Sequence, residues 1–90
     1  MRYVTERAPS VADAARETEA AEYLRHLLLK LNEAQRVVVI LAELEGFTSA
    51  EIASTLGIPA GTVDSRLRAA RQQLARAIER DRARDERRPP

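Results

Sequence analysis

The chain has 90 residues, 44% of them apolar and 32% charged, which suffices for one small domain and leaves no room for a second, catalytic domain. Because it has no cysteine and a single histidine, a disulfide framework, a thiolate metal site and a histidine cluster are excluded, and we expect no metal and no cofactor. No apolar run approaches the roughly 20 residues of a membrane span, and the N-terminal residues lack the apolar core of a signal peptide. We therefore expect a cytoplasmic protein without a membrane partner.

The net charge of +1 is unevenly distributed along the chain. Residues 1–60 contain six Lys/Arg and nine Asp/Glu, a net charge of −3, whereas residues 61–90 contain nine Arg and five acidic residues, a net charge of +4. The basic surface is therefore expected on the last element of the chain. Aromatic residues make up only 3% of the chain, so we do not expect a base-stacking surface for single strands.

The N-terminal third of the chain is weakly patterned at first and then helical. Residues 1–19 show no sustained apolar stripe, and we interpret them as a linker or a weak N-terminal helix. From Ala20 the apolar residues fall on one helical face, which predicts a helix that ends near residue 30. Asn32, with Gln35 three residues later, predicts a capping box for a second helix, which Gly46 would end.

Five consecutive apolar residues in this second helix, 37–41, can be read in two ways. A β-branched run favours a strand, but no partner strand is evident, so we interpret the run as helical. At about 100° per residue, Val38 and Val39 point away from the arc that the other apolar residues of the helix share. We expect them to be covered either by the first helix or by an outside partner, so they are our candidate partner-binding residues.

The segment 48–71 has the pattern of a helix-turn-helix. Thr48 and Glu51 are placed to form a second capping box, and Gly57 suits the left-handed residue that ends a short helix. Pro59 stops that helix and suits the first turn of the next one. A short helix, a glycine turn and a longer helix is the arrangement that lets one helix enter a major groove of DNA.

The last helix is expected to bury one apolar stripe and to end near residue 80. The stripe consists of Val63, Leu67, Ala70, Leu74, Ala77 and Ile78. Beyond it the chain is almost entirely charged, which predicts a disordered tail. We therefore divide the chain into a linker or weak helix over 1–19, a domain over 20–80 and a tail over 81–90.

Several sequence blocks within residues 22–78 together resemble a known family. The blocks are Leu31-Asn-Glu-Ala-Gln-Arg, Glu43-Leu-Glu-Gly-Phe, Glu51-Ile-Ala, Leu56-Gly-Ile-Pro and Gly61-Thr-Val-Asp-Ser-Arg-Leu-Arg-Ala-Ala-Arg. In this order and spacing they resemble region 4 of the bacterial sigma-70 family of sigma factors, specifically the extracytoplasmic-function (ECF) group. The resemblance implies a small all-α fold of four helices with a C-terminal helix-turn-helix, an arrangement similar to a winged helix without its wing.

The resemblance also implies a function and partners. The domain would recognise the −35 element of double-stranded promoter DNA through its last helix, dock on the flap of the RNA polymerase β subunit, and be a target of anti-sigma factors. Family members normally carry a region 2 ahead of this domain. We therefore interpret the chain as a fragment of a larger sigma factor or as a stand-alone relative, and we do not expect it to initiate transcription by itself.

Two positions depart from the family pattern on the expected DNA-binding face. Asp64 stands where the family usually has a basic residue, and Ala69 stands where it usually has arginine. Both departures remove positive charge, although the Asp64 carboxylate could accept a hydrogen bond from a cytosine amino group. We expect weak DNA binding by this domain alone, with the polymerase surface contributing the rest of the affinity.

The candidate DNA-binding residues all lie in the first half of the last helix. We expect Ser65 and Arg68 at base edges or nearby phosphates. Arg66 and Arg71 would clamp phosphates, and Thr62 with the helix N-terminus would bind another. The full set is Thr62, Asp64, Ser65, Arg66, Arg68, Arg71 and Gln72.

Six arginines of the last helix also have a purely structural alternative. For Arg66 and Arg71 the alternative is an ion pair within the domain, formed with Glu43, Glu45 or Glu51. For the later arginines we expect a solvated helix face of mixed charge. These later residues are Arg76, Arg80, Arg82 and Arg84.

Two other functions remain open at this stage. One is a protein-interaction module that binds the flap, an anti-sigma factor or a second copy with little DNA binding. The other is a transcription regulator of the response-regulator helix-turn-helix type. We do not expect an enzyme or a small-molecule substrate, because the sequence shows no nucleophile–base pairing, metal cluster or glycine-rich phosphate loop.

Overall fold

The computed structural model describes residues 10–87, and all of its regular structure is helical. The helices are α1 (Val11–Leu28), α2 (Glu33–Val39, which continues as a π-helical segment over Ile40–Leu44), α3 (Ser49–Leu56) and α4 (Ala60–Arg87). The all-α fold with four helices is confirmed. The first nine residues of the expected linker and the last three of the expected tail lie outside the described residues.

Helix α1 begins at Val11, well before the start that its apolar pattern predicts. Ser10 caps it by accepting a hydrogen bond from the Asp13 backbone N–H at 3.1 Å, and Arg16 donates to the Asp13 carboxylate at 2.7 Å. These two contacts, the arginine first, hold the pKa of Asp13 below its usual value. Residues 11–20 are all exposed. Capping and helix propensity, without burial, therefore account for this half of α1.

Helix α2 begins as the sequence predicts. The Gln35 backbone N–H donates to Asn32 Oδ1 at 2.8 Å, and the Asn32 N–H donates to Gln35 Oε1 at 3.2 Å, which completes the capping box. Arg36 fixes the preceding turn by donating to the carbonyl oxygens of Leu28 and Leu31 at 3.0 and 2.7 Å. The start of α2 is thereby tied to the end of α1.

The predicted inner face of α2 is wrong. Val38 and Val39 are 0% and 5% exposed, so they lie in the core, and they are not available as a partner-binding surface. Leu44, placed on the inner arc by uniform helical spacing, is 55% exposed. The two valines follow ordinary α-helical spacing from the buried Gln35, three and four residues later, so the three side chains share one face. The wider turn, in which the Glu45 N–H donates to the carbonyl of Ile40, comes after both valines and changes the phase only of the residues that follow, such as Leu44.

The core joins α2, α3 and α4 more than it joins α1. Its buried members are Leu31, Val38, Val39, Ile52, Val63, Leu67 and Ala70. α2 packs chiefly against α4, and α3 packs against α4 as well. We expected α1 to cover Val38 and Val39, but the helix-turn-helix covers them instead. One predicted stripe residue, Ile78, is 37% exposed at the edge of the buried face.

The turn between α3 and α4 has the geometry that its sequence predicts. The second capping box is complete, with the Glu51 N–H on Thr48 Oγ1 at 3.1 Å and the Thr48 N–H on Glu51 Oε1 at 2.8 Å. Gly57 ends α3 at φ +70°, a left-handed conformation that costs glycine little. The carbonyl of Pro59 then accepts the first hydrogen bonds of α4.

Helix α4 continues to Arg87, past the end predicted near residue 80. Its last turns are supported by polar contacts in place of an apolar stripe. Arg84 pairs with Asp81, and the Tyr23 hydroxyl of α1 donates to the same carboxylate at 3.0 Å. Partial desolvation and this hydrogen bond raise the pKa of Tyr23. No helix within the described range is long and apolar enough to cross a membrane.

Candidate nucleic-acid interface

The candidate residues occupy the first half of α4, which the core holds in place through Val63, Leu67 and Ala70. Five of them have exposed side chains: Asp64, Ser65, Arg68, Arg71 and Gln72. Thr62 and Arg66 are half-buried. Because the buried stripe fixes the rotation of α4, the remaining arc of its first three turns is presented to solvent.

An open groove runs along one side of this arc. It is lined by Ser49, Asp64, Leu67, Arg68, Arg71, Gln72 and Ala75. The structure thus brings four candidate residues together, while Thr62, Ser65 and Arg66 lie outside this groove. Ser49 was missed from the sequence. Its only local signal was its position directly after the Thr48 cap, at the end of α3 that could face α4.

Two carboxylates, those of Glu43 and Asp64, lie on this side of α4 and contact neighbouring polar side chains. Ser49 Oγ donates to Asp64 Oδ1 at 2.7 Å, and Arg71 Nη2 lies 2.5 Å from Glu43 Oε1. We name Glu43, Ser49, Asp64 and Arg71 the acidic flank. The ion pair within the domain is therefore confirmed for Arg71, with Glu43 as its partner.

The Arg71–Glu43 pair is solvent-accessible, with side chains 60% and 50% exposed. Ion pairs of this kind contribute only about 0–1 kcal/mol to stability, because water screens both charges. A phosphate group could therefore replace Glu43 at the guanidinium. In the unbound domain, however, Glu43 and Asp64 lower the positive potential of the groove.

Arg66 and Arg68 differ from Arg71 in having no acidic partner. Neither forms an ion pair with any carboxylate of residues 10–87. The guanidinium of each is available to donate two parallel hydrogen bonds to a phosphate or to the O6 and N7 atoms of guanine. The Gln72 amide, one turn after Arg68, has the donor and acceptor pair that can bind adenine.

The late arginines of α4 fall into two groups. Arg82 and Arg84 pair with Glu79 and Asp81 on their own helix, as a solvated face of mixed charge would. Arg76 and Arg80 instead line a pocket on the other side of α4, together with Gln73 and with Lys30 from the turn before α2. We name Lys30, Gln73, Arg76 and Arg80 the basic flank.

Comparison with known proteins agrees with this geometry. The model of the family described as sigma-70, region 4, matches residues 21–74. The ECF RNA polymerase sigma factor SigM from two strains of Mycobacterium tuberculosis is 37% identical over 68 residues, which cover 76% of this chain and 35% of the relative. The chain thus spans about a third of the length of these curated relatives.

These matches support a DNA-binding role of the sigma-factor kind in general. The family model covers the core, the helix-turn-helix and the candidate residues of α4. On this evidence the chain belongs to the sigma-70 region 4 family, and its similarity is to the ECF sigma factors.

Proposed function

We propose that this domain recognises the −35 element of promoter DNA as part of an alternative sigma factor, with the first half of α4 in the major groove. One observation carries the proposal. The arc of α4 that faces away from the core presents Arg68, which has no acidic partner within residues 10–87, beside the polar side chains of Ser65 and Gln72, and the half-buried Arg66 lies at the margin of the buried stripe. Such a function would operate in the cytoplasm, where promoter DNA and RNA polymerase are found.

The dimensions of the helix suit this role. The major groove of B-DNA is about 12 Å wide and admits one α-helix. Side chains on the outward arc would then reach base edges, and those at its margins would reach phosphates. Thr62 lies in the first turn of α4, where the helix dipole favours an anion; its backbone N–H already donates to the Pro59 carbonyl at 3.0 Å, so its hydroxyl would make the contact.

The acidic flank supports weak rather than strong binding by the isolated domain. Asp64 and Glu43 place two carboxylates beside the groove, and Arg71 is already paired. We propose that contact with RNA polymerase, at the β flap, supplies affinity that the DNA surface lacks, and that an anti-sigma factor could compete for such a site. Because Val38 and Val39 are buried, exposed apolar residues such as Leu29 and Leu44 are the better candidates for protein contacts.

Fluorescence anisotropy with a labelled −35 promoter duplex tests the proposal. The dissociation constant should rise steeply with salt, since each neutralised phosphate contributes about −0.9 to the slope of log K against log salt. Arg68→Ala should weaken binding, whereas Arg82→Ala, which removes the same charge from a paired position, should have little effect. Absence of binding by the wild-type domain at low salt would contradict DNA recognition.

A further inference from the structure

The basic flank gathers three cations that are distant in sequence. Lys30 lies in the turn between α1 and α2, whereas Arg76 and Arg80 lie one turn apart on α4. No carboxylate of residues 10–87 forms an ion pair with any of the three. Cations that converge without a counter-charge repel one another, so an anion in this pocket would relieve that repulsion.

Gln73 also lines this pocket. Its side-chain oxygen Oε1 is buried and has no hydrogen-bond donor among the described residues. Because this atom is shielded from solvent, the three cations rather than the amide provide the attraction for an anion in the pocket.

The position of the pocket on α4 indicates which anion it meets. At 1.5 Å per residue, Arg76 and Arg80 lie about 12 and 18 Å along the axis from Arg68. At about 100° per residue, Arg76 is rotated about 80° from Arg68 in one direction, and Arg71 about 60° in the other. We name the outward face of α4 that carries Ser65, Arg68 and Gln72 the recognition arc. The basic and acidic flanks thus lie on opposite sides of it.

We propose that the basic flank binds a backbone phosphate of the duplex that borders the −35 element. This proposal rests on the proposed function, because it takes α4 to be in the major groove. With the groove about 12 Å wide, the end of α4 that leaves it passes the phosphates at its margin. The carboxylates of the acidic flank repel phosphate on the opposite side of α4. The DNA backbone would therefore lie closer to Lys30, Arg76 and Arg80.

The continuity of this surface with Arg68 on one rigid helix favours DNA over an acidic protein segment as the occupant. Both occupants carry negative charge, but only DNA is already placed beside α4 by the recognition arc. The basic flank would accordingly act as a sequence-independent contact that fixes the tilt of the helix, while the recognition arc reads bases.

The test compares two double variants of the whole chain by anisotropy on one promoter duplex over a range of salt. The first variant, Arg76→Gln with Arg80→Gln, removes two charges from the basic flank. The matched control, Arg82→Gln with Arg84→Gln, removes two charges from the same helix at paired positions. Circular dichroism verifies that both variants retain the helical fold.

We expect the basic-flank variant to lose affinity roughly tenfold near 0.1 M salt and to reduce the salt slope by about 0.9, the contribution of one phosphate. Lys30→Gln should shift both quantities in the same direction by a smaller amount. The control should change affinity less than about twofold, as expected for arginines that already have acidic partners.

The possible outcomes separate this inference from the proposed function. If the wild-type chain does not bind the duplex at all, the proposed function fails and this inference fails with it. If the wild type binds and the basic-flank variant matches it in affinity and slope, only the phosphate site is overturned. Equal losses in the variant and the control would also overturn it, because they would indicate a general effect of net charge.

Discussion

The two flanks of α4 differ in how their charges are satisfied. On the acidic flank, Arg71 is paired with Glu43 and Asp64 accepts from Ser49. On the basic flank, Arg76 and Arg80 converge with Lys30 and have no carboxylate partner within residues 10–87. Arginines on one helix therefore differ in whether an anion can bind them. The difference depends on which side chains of the other helices and turns lie beside each arginine.

This comparison depends on the core that holds α2 and α3 against α4, so a core substitution has the largest expected effect. Val38→Glu places a carboxylate at a fully buried position. We expect the free energy of unfolding to fall by about 3–5 kcal/mol, because the charge is desolvated without a partner. Urea denaturation followed by circular dichroism measures this loss.

Ala34→Glu, on the exposed side of the same helix, is the matched control and should change stability by less than about 0.5 kcal/mol. A stable Val38→Glu domain that had lost only its binding to the polymerase flap would contradict the buried position of Val38. It would restore this residue as part of a partner-binding surface.

Reversing the charge of the acidic flank should have the next largest effect. Asp64→Lys removes a carboxylate from the groove and adds a cation, and it restores the charge that the family usually has there. We expect affinity for the promoter duplex to increase roughly tenfold or more at low salt, with a steeper salt slope. Anisotropy titrations give both quantities.

Glu86→Lys makes the same change in charge near the exposed end of α4 and is the control for Asp64→Lys. If both variants gained affinity equally, the position of Asp64 beside the groove would be irrelevant. Total charge, rather than the acidic flank, would then govern binding.

Releasing Arg71 should have a smaller effect on DNA binding. Glu43→Gln removes the ion pair and leaves the guanidinium free for a phosphate, so we expect affinity to rise by about three- to tenfold. Because the pair is exposed, the cost in stability should stay below about 1 kcal/mol. Glu45→Gln, an exposed neighbour outside the pair, should leave affinity nearly unchanged. A decrease in affinity for Glu43→Gln would indicate that Glu43 positions Arg71 for binding.

The smallest effect is expected at the junction between α1 and α4. Tyr23→Phe removes the solvent-exposed hydrogen bond to Asp81 and should lower the stability slightly without changing DNA affinity. Since the folded-state pKa of Tyr23 is raised, its contribution is present below the normal tyrosine pKa and is lost as the pH rises through the folded value. Thermal unfolding across alkaline pH should show this loss in the wild type and not in Tyr23→Phe.

The parts of the fold that follow from local chemistry could be predicted from the sequence. Both capping boxes and the left-handed Gly57 depend on residues within one turn of each other, and they occur as expected. The start of α1 and the end of α4 could not be predicted from apolar spacing, because exposed caps and ion pairs support them. The face of α2 was predicted wrongly because the run 37–41 places apolar residues on every side of the helix, so spacing alone does not decide which side packs against α4.

The candidate site shows the same division. The positions of the exposed residues on α4 followed from its buried stripe, and Glu43 was one of three possible partners for Arg71. The contact of Ser49 with Asp64 and the convergence of Lys30 with Arg76 depend on how separate helices pack. Spacing along one helix contains no information about such contacts.

An NMR titration of the isotopically labelled chain with a −35 promoter duplex tests the central claim most directly. Our account predicts that the largest shifts fall in the first half of α4, at residues 62–72, with further shifts at the side chains of Arg76 and Arg80. Shifts confined to α1 and α2, with those residues of α4 unchanged, would contradict DNA recognition by this helix.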